Sequence, residues 1–360
     1  MHCQCGSTAI ISQTASVILT AAIYYLLSRR LKLSRQRRIL PISAFLLLFF
    51  AWQLAPLFGG SNISCFRKAR IVTIGTYNTG GLIAKEDVKR GNQYPKSARS
   101  LDALAETIRR ADADIVALQE VASEKTLKSF LDSRGLAKTY PFVAFDYTNS
   151  GYGQHLAFIS KYPYTEKKSH ASRIIPLADG SGKTRFSRDL LRADFDVDGK
   201  PGADITVYTT HSKSRRPAEP GQINSETQRI SEAMAIRKIA EEEMKACPGR
   251  LFTIAADLND ECSNKSVQMI LTPKDGGKAW KDSLAKLPVS KRSTWPSDSK
   301  YSKGFSPAQF DHIIYSSAMK KKMKGSRVHR YGKSDKSDIE DVSSEASDHL
   351  MVTADFKIKL

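Results

Sequence analysis

The chain has 360 residues, 41% of them hydrophobic, and a formal net charge of +19 at neutral pH. That length suits one large domain or two small ones with an ample core; the charge favours polyanionic partners, nucleic acid or an anionic membrane surface, without indicating a fold. No internal repeat is visible, and none of the five cysteines stands in a Cys-x-x-Cys or Cys/His spacing, so nothing suggests a repeat array or a structural zinc site.

Residues 8–27 and 39–58 are charge-free stretches of 20 residues each, the length a helix needs to cross a bilayer. Between them SRRLKLSRQRR carries Arg29, Arg30, Lys32, Arg35, Arg37 and Arg38, and positions 1–60 hold no acidic residue. The positive-inside rule keeps this loop in the cytoplasm and puts everything after Phe58 outside. Arg67, Lys68 and Arg70 on the far side pull against that orientation. A secretory signal built from the loop and the second stretch is the other reading, although Ala-x-Pro is a poor cleavage ending. The expectation is a membrane-anchoring region at 1–59 with two transmembrane helices, a polar linker at 60–69, and an extracytoplasmic catalytic domain at 70–360. The remainder beyond the anchor keeps a charge of about +13.

In chain order, IVTIGTYN reads as a strand ending at Asn78. Leu101, Leu104, Ala105 and Ile108 then share one helix face. Asp114 leads into the buried strand IVAL, which ends at Glu120, and QHLAFIS follows around His155. GSGKTR at 180–185 lacks the preceding glycine of a phosphate-binding loop. FSRDLLRADF contains Arg188, and Leu191, Ala193, Phe195 and Val197 alternate with charged residues as in a half-buried strand. DITVYTTHSK carries His211 and Lys213. A long helix is expected from Glu226 to Met244, with Ile236, Ile239 and Ala240 on one face. LFTIAADLND supplies Asp257 and Asn259, FDHIIYS supplies Asp311, and ASDHLMV supplies Asp348 and His349. Cys247 and Cys262 bracket LFTIAADLND and are placed to pair in an oxidising compartment. The run Lys320, Lys321, Lys322, Lys324, Arg327 and Arg330 is either a phosphate-backbone contact or a solvated loop. Interleaved strands and helices predict an α/β sandwich with a largely antiparallel component.

Cleaving a phosphate ester needs a cation, an activated water and proton donors at one point. Magnesium prefers carboxylate and carbonyl oxygens, so Glu120 is a natural anchor with Asn78 and Asp348 in support; manganese or calcium are the alternatives. Asp257 and Asn259 share one parity and face the same way if their strand continues. Asp257 can then orient and deprotonate water while Asn259 donates to the phosphorane-like oxygen. His211 or His349 can protonate a leaving alkoxide or stabilise the scissile phosphate, with Asp311 holding a tautomer. Lys213 adds a phosphate contact. His155 and His312 have weaker cases.

At these residues the sequence resembles the endonuclease/exonuclease/phosphatase superfamily, which includes pancreatic-type deoxyribonucleases, exonuclease III-type repair nucleases and neutral sphingomyelinases. TYN–GGL, LQEV, HSKS, ADLND, FDHIIYS and SDH occur in that family's order between about Arg70 and Leu360. The resemblance implies a four-layer α/β sandwich, two packed mixed or antiparallel sheets flanked by helices, with the site at one rim. It implies that Glu120 and Asn78 serve the metal, that Asp257, Asn259, His211 and His349 act on the phosphodiester, and that Asp311 supports His349. It also implies Asp348 as a further metal contact. FSRDLLRADF with HSKS is most similar to bacterial exported nucleases, which puts Arg188 near the substrate phosphate. The usual glycine before the catalytic aspartate is Ala256 here, and FDH replaces the common IDY. The inositol-polyphosphate phosphatase signature, an aromatic-Arg pair and a later CDR, is missing.

Three functions follow. The first is an exported, membrane-anchored, magnesium-dependent nuclease acting on DNA or RNA, with no obligate protein partner inferred. The second is a sphingomyelinase-like phospholipid phosphodiesterase, for which no exposed aromatic hairpin is evident. The third is a non-catalytic polyanion-binding domain, which would be expected to lose Glu120, Asp257 or His349.

Overall fold

The computed structural model describes residues 69–88, 94–272, 278–296, 306–332 and 341–359. All of them fall in one unit, Arg67–Leu360. The expected membrane spans at 8–27 and 39–58 lie outside the described residues. Among the described residues no helix is long and apolar enough to cross a membrane.

Two six-stranded sheets form the body. The first runs β13 (Met323–Val328), β14 (Val352–Lys359), β1 (Ala69–Leu82), β2 (Ile115–Val121), β4 (His155–Ser160), β3 (Phe142–Asp146). The second runs β11 (Lys281–Asp282), β12 (Asp311–Tyr315), β10 (Leu251–Asp257), β9 (Ile205–Thr210), β8 (Leu190–Phe195), β5 (Tyr164–Lys168). Within each sheet one central pair is parallel, β1 with β2 and β9 with β10; the other pairs are antiparallel. A short hairpin, β6 (Ile175–Pro176) with β7 (Lys183–Thr184), contains most of the GSGKTR segment.

The layering follows from strand periodicity. In β2, Ile115 and Ala117 point into the core between the sheets, whereas Val116 and Leu118 point outward. Helices α1 (Ala98–Ala111) and α2 (Glu124–Ser133) cover that outer face with Leu104, Ile108, Leu127 and Phe130. On the second sheet Tyr208, Phe252 and Ile254 turn outward under α3 (Ser225–Ala246) and α4 (Lys265–Leu271). Strands buried on both faces read as near-continuous apolar runs, as β2 and β10 do. Edge-to-face rings pin the sheets together: Phe158 meets Phe195 with centroids 5.7 Å apart, and Tyr315 meets Phe356 at 5.7 Å. Each such buried ring contributes ~1.5–3 kcal/mol through area removed from water.

Helix α3 matches the expected Glu226–Met244 segment with slightly wider bounds, and Asn224 caps it by accepting from the backbone N–H groups of Glu226 and Thr227. Two expectations are corrected. Cys247 and Cys262 are both free thiols. They flank opposite ends of β10, whose seven residues span ~20 Å at ~3.3 Å per residue, far beyond disulfide reach. The late basic run is not simply a loop. From Met323 to Val328 it forms β13, the edge of the first sheet, and Lys320–Lys322 precede it beyond the Tyr315 end of β12, opposite Asp311. Lysines there blunt an exposed strand edge against pairing with another chain.

Candidate active site

Strand register assembles the cluster. On the second sheet His211 bridges Asp257 across the parallel β9–β10 pair, and Asp257 lies opposite Asp311 across the antiparallel β10–β12 pair. Three chemical groups therefore stand side by side at one end of three neighbouring strands. On the first sheet Asn78 lies opposite Gln119, one residue before Glu120, at the same rim. The turn before β14 brings in Asp348 and His349.

Glu120 owes its direction to a bulge. Strict alternation would aim it with Val116 and Leu118 toward the helices. Instead its φ is +61°, and the β2–β4 register shifts between Gln119 and Val121. A bulge re-aims one side chain at a sheet rim, and a left-handed glutamate is costly backbone found mainly at functional sites. Gln119, completely buried, points between the sheets and donates to Thr209 Oγ1 at 2.9 Å.

Asp257 Oδ2 is the focus. It accepts from Asn78 Nδ2 at 2.9 Å and lies 3.5 Å from His211 Nε2 and 3.9 Å from His349 Nε2. Its other oxygen accepts the Asn259 backbone N–H at 2.8 Å. Here the expected shared strand parity is corrected: β10 stops at Asp257, and Asn259 arrives through a turn with φ +51° closed by that hydrogen bond. Asn259 Nδ2 donates to the Ser212 carbonyl at 3.0 Å. His349 Nδ1 and Asp311 Oδ2 are 2.8 Å apart, which makes Asp311 the partner that sets the imidazole tautomer. Asp311 is in turn fixed by its backbone N–H donating to Thr294 Oγ1 at 3.0 Å.

Charge separates these groups. Burial and the facing Asp311 push the Asp257 carboxyl up to about 7, against the pull of His349 and Asn78. Burial and then the field of Asp348 raise Glu120 above the ordinary carboxylate range. Burial, helped by Arg188 and His349, holds His211 neutral, well below its usual value. Burial opposes the charged form of His349 as well, but Asp311, Asp257 and Asp348 outweigh it and keep that imidazolium well above its usual value. A neutral and a charged histidine on either side of one carboxylate is the pattern that divides acid and base roles.

Asp348 adjoins Gly80. Gly80 has φ +60°, and a Cβ there would lie 2.9 Å from Ser347 Oγ and 3.2 Å from Asp348 Oδ1. Ser347 Oγ donates to the Asn78 carbonyl at 2.8 Å, and Trp295 Nε1 donates to Asp348 at 3.4 Å. The donor set fits a divalent cation: the field of Asp348 adds to the cost of charging Glu120, and the base within reach of Glu120, His211, is 4.0 Å off and neutral. Carboxylate crowding of this kind is what a hard cation relieves. The tighter trio Asp257, Asp311 and His349 is buried and turned inward on its own hydrogen bond, which suits proton transfer better.

Arg188 joins through a residue the sequence reading passed over. Gln154 donates to Glu120 Oε1 at 3.0 Å and accepts from Arg188 Nη2 at 2.8 Å. The adjacent His155 has a different partner: its Nδ1 accepts from the Thr148 backbone N–H on the β3–β4 turn. Lys213 sits nearby on the segment leaving β9; burial and the field of Arg188 lower its ammonium. His312 is structural, with Nδ1 2.6 Å from Asp282 and Nε2 2.9 Å from the Asp260 carbonyl.

The family model described as Endonuclease/Exonuclease/phosphatase family matches residues 75–349, from within β1 to His349. The chain belongs to the endonuclease/exonuclease/phosphatase family. Members of this family are divalent-metal-dependent hydrolases of phosphoester bonds. No curated protein sequence matches. Among solved structures, truncated Caenorhabditis elegans TDP2 is similar at 18% identity, with 80% of this chain and 98% of that chain covered and a TM-score of 0.51. D. rerio TDP2 complexed with single strand DNA product gives 18% identity, 80% and 99% coverage, and 0.50. A Bacteroides thetaiotaomicron mannosyl-6-phosphatase gives 16%, 79% and 98%, and 0.52. At these identities the likeness is one of fold.

Proposed function

We propose that this family member is a magnesium-dependent nuclease, anchored in a membrane with its catalytic domain on the extracytoplasmic side. The observation that carries the hydrolytic part is the convergence of Asn78, His211 and His349 on Asp257 Oδ2. Bound magnesium, held by Glu120 with Asp348 and Asn78, would neutralise phosphate charge. Asp257, its carboxyl raised by burial, orients the attacking water and takes its proton. His349, charged and backed by Asp311, presents positive charge to the phosphorane and a proton to the leaving oxygen. Neutral His211 and the amide of Asn259 position the phosphoryl oxygens, with Arg188 and Lys213 contacting the phosphate.

Polynucleotide is favoured by the basic excess beyond residue 60, by Arg188 and Arg216, whose fields reach Lys213, and by Arg215, which lies over the ring of Phe310 next to Asp311. The fold-level likeness to a TDP2 holding single-stranded DNA product points the same way. The anchor rests on the two charge-free stretches at 8–27 and 39–58.

A substrate panel tests this. The full-length protein in detergent with magnesium is expected to nick plasmid DNA or degrade single-stranded polynucleotide, and to stop on addition of chelator. Release of phosphocholine from sphingomyelin without nicking would move the assignment to a phospholipid phosphodiesterase. Hydrolysis of sugar monophosphates alone would move it to a phosphatase. Polynucleotide binding without hydrolysis of any substrate would leave a binding domain.

A further inference from the structure

The segments carrying Arg188 and Lys213 come from different parts of the chain, between β7 and β8 and between β9 and α3. One buried side chain holds both. Glu232, 1% exposed on α3, accepts from the Ser187 backbone N–H through Oε1 at 2.7 Å and from the Lys213 backbone N–H through Oε2 at 3.0 Å. Gln228 Nε2, one turn earlier on the helix, donates to the same Oε1 at 2.8 Å and to the Arg185 carbonyl at 2.7 Å. The two segments also meet directly, because Ser212 O accepts from Arg188 Nη1 at 3.3 Å and from Asn259 Nδ2 at 3.0 Å. On the far side of Lys213, Arg229 Nη1 donates to Ser214 O at 3.0 Å.

A carboxylate in this position is unusual for a helix interior. It accepts three N–H bonds, two of them from backbone, and bonds to a charged acceptor are the stronger kind. A buried carboxylate persists only when its oxygens are satisfied. Here the bonds do more than satisfy it: they fix the separation of two loops against a 22-residue helix, and rigid elements hold a site more tightly than loops do.

We propose that Glu232 is a positioning residue for phosphodiester hydrolysis, a two-sided clamp that sets Arg188 and Lys213 at the spacing one phosphate group requires. The proposal rests on the assignment of those two cations to the substrate phosphate. Glu232 itself touches no reacting atom. A displacement of about 1 Å at such contacts costs on the order of a hundredfold in rate.

The test uses bis(4-nitrophenyl) phosphate beside polynucleotide, with magnesium, on the full-length protein. Glu232→Gln keeps the shape but turns one N–H-accepting oxygen into a donor facing a donor. It is expected to lower kcat/KM at least tenfold on both substrates while the thermal midpoint shifts by only a few degrees. In an Arg188→Ala, Lys213→Ala background the same change is expected to add less than a factor of three, since Glu232 acts through those two contacts. Glu232→Asp keeps the charge with a shorter reach. It is expected to retain more activity than Glu232→Gln, and it carries the test if the Gln variant does not fold. Unchanged kcat/KM per folded molecule, or a fully additive loss in the Arg188→Ala, Lys213→Ala background, would overturn the clamp. A wild type idle on polynucleotide yet active on the small diester would instead overturn the nuclease assignment, and the clamp would still be tested on that diester.

Discussion

Several residues carry consequences that single substitutions expose. Gly80 needs both its positive φ and its missing Cβ, since Ser347 and Asp348 occupy the space beside it. Gly80→Ala is expected to cost ~1–2 kcal/mol of stability and to push Asp348 away from Glu120. Activity should fall further than the loss of folded protein explains, as measured by kcat alongside chemical denaturation. Asp189, completely buried, has its carboxyl raised to about 6 mainly by burial. The unfolded chain loses this proton near pH 4, while the folded chain keeps it until about 6. Across that window the folded state binds more protons, so stability falls as pH rises. The full penalty at neutral pH is on the order of 2–3 kcal/mol. Asp189→Asn, which keeps an oxygen for the His170 N–H bond, should raise stability at pH 7.5 by ~1–2 kcal/mol and flatten the decline between pH 4 and 6. A variant no more stable at pH 7.5 than wild type would refute it.

Among elements, α3 has two ends with different work. Its middle holds Glu232; its last turns hold Glu243, which gathers Lys168 Nζ at 2.7 Å, Arg192 Nη1 at 3.3 Å and His170 Nε2 at 3.4 Å. Burial opposes its charge, but hydrogen bonds with His170, Lys168 and Tyr208 and the field of Arg192 hold the Glu243 carboxyl far below its usual range. Glu243→Gln leaves the buried Arg192 with Asp194 and Glu166 as its remaining partners, so a loss of ~1–3 kcal/mol in urea unfolding is expected, with kcat per folded molecule unaltered. A kcat change would mean that the network reaches the active site. Much of this architecture was legible in the sequence. The strands carrying Asn78, Glu120, His211, Asp257 and Asp311 read as apolar runs, and α3 showed a helical face. What escaped was whatever depends on broken periodicity or on a partner remote in sequence. Glu120 lies on the wrong parity until the bulge turns it. Asn259 sits past the strand end. Gln154 is an ordinary polar residue before a strand until Glu120 and Arg188 close on it. Strand β13, with Lys324 and Arg327 outside and only Met323 and Val328 for packing, looks like a loop because an edge needs little apolar surface.

For the molecule as a whole, two sheets packed on a common core bring strand ends from both to one rim, and each sheet supplies a different chemistry. The first provides Asn78 and Glu120, carboxylate and amide oxygens suited to a cation; the second provides His211, Asp257 and Asp311, groups suited to moving protons. The turn before β14 joins them through Asp348 and His349. The central claim is that these act as one metal-dependent hydrolytic unit. The most direct measurement is the rate of diester hydrolysis against magnesium concentration for wild type, Glu120→Gln, Asp257→Asn and the double variant. Each single change should lower kcat/KM by at least ~100-fold, and the double variant should be little worse than the poorer single one, as for residues that act together. Wild-type hydrolysis that persists in chelator, or either variant keeping activity within a few-fold of wild type, would contradict it.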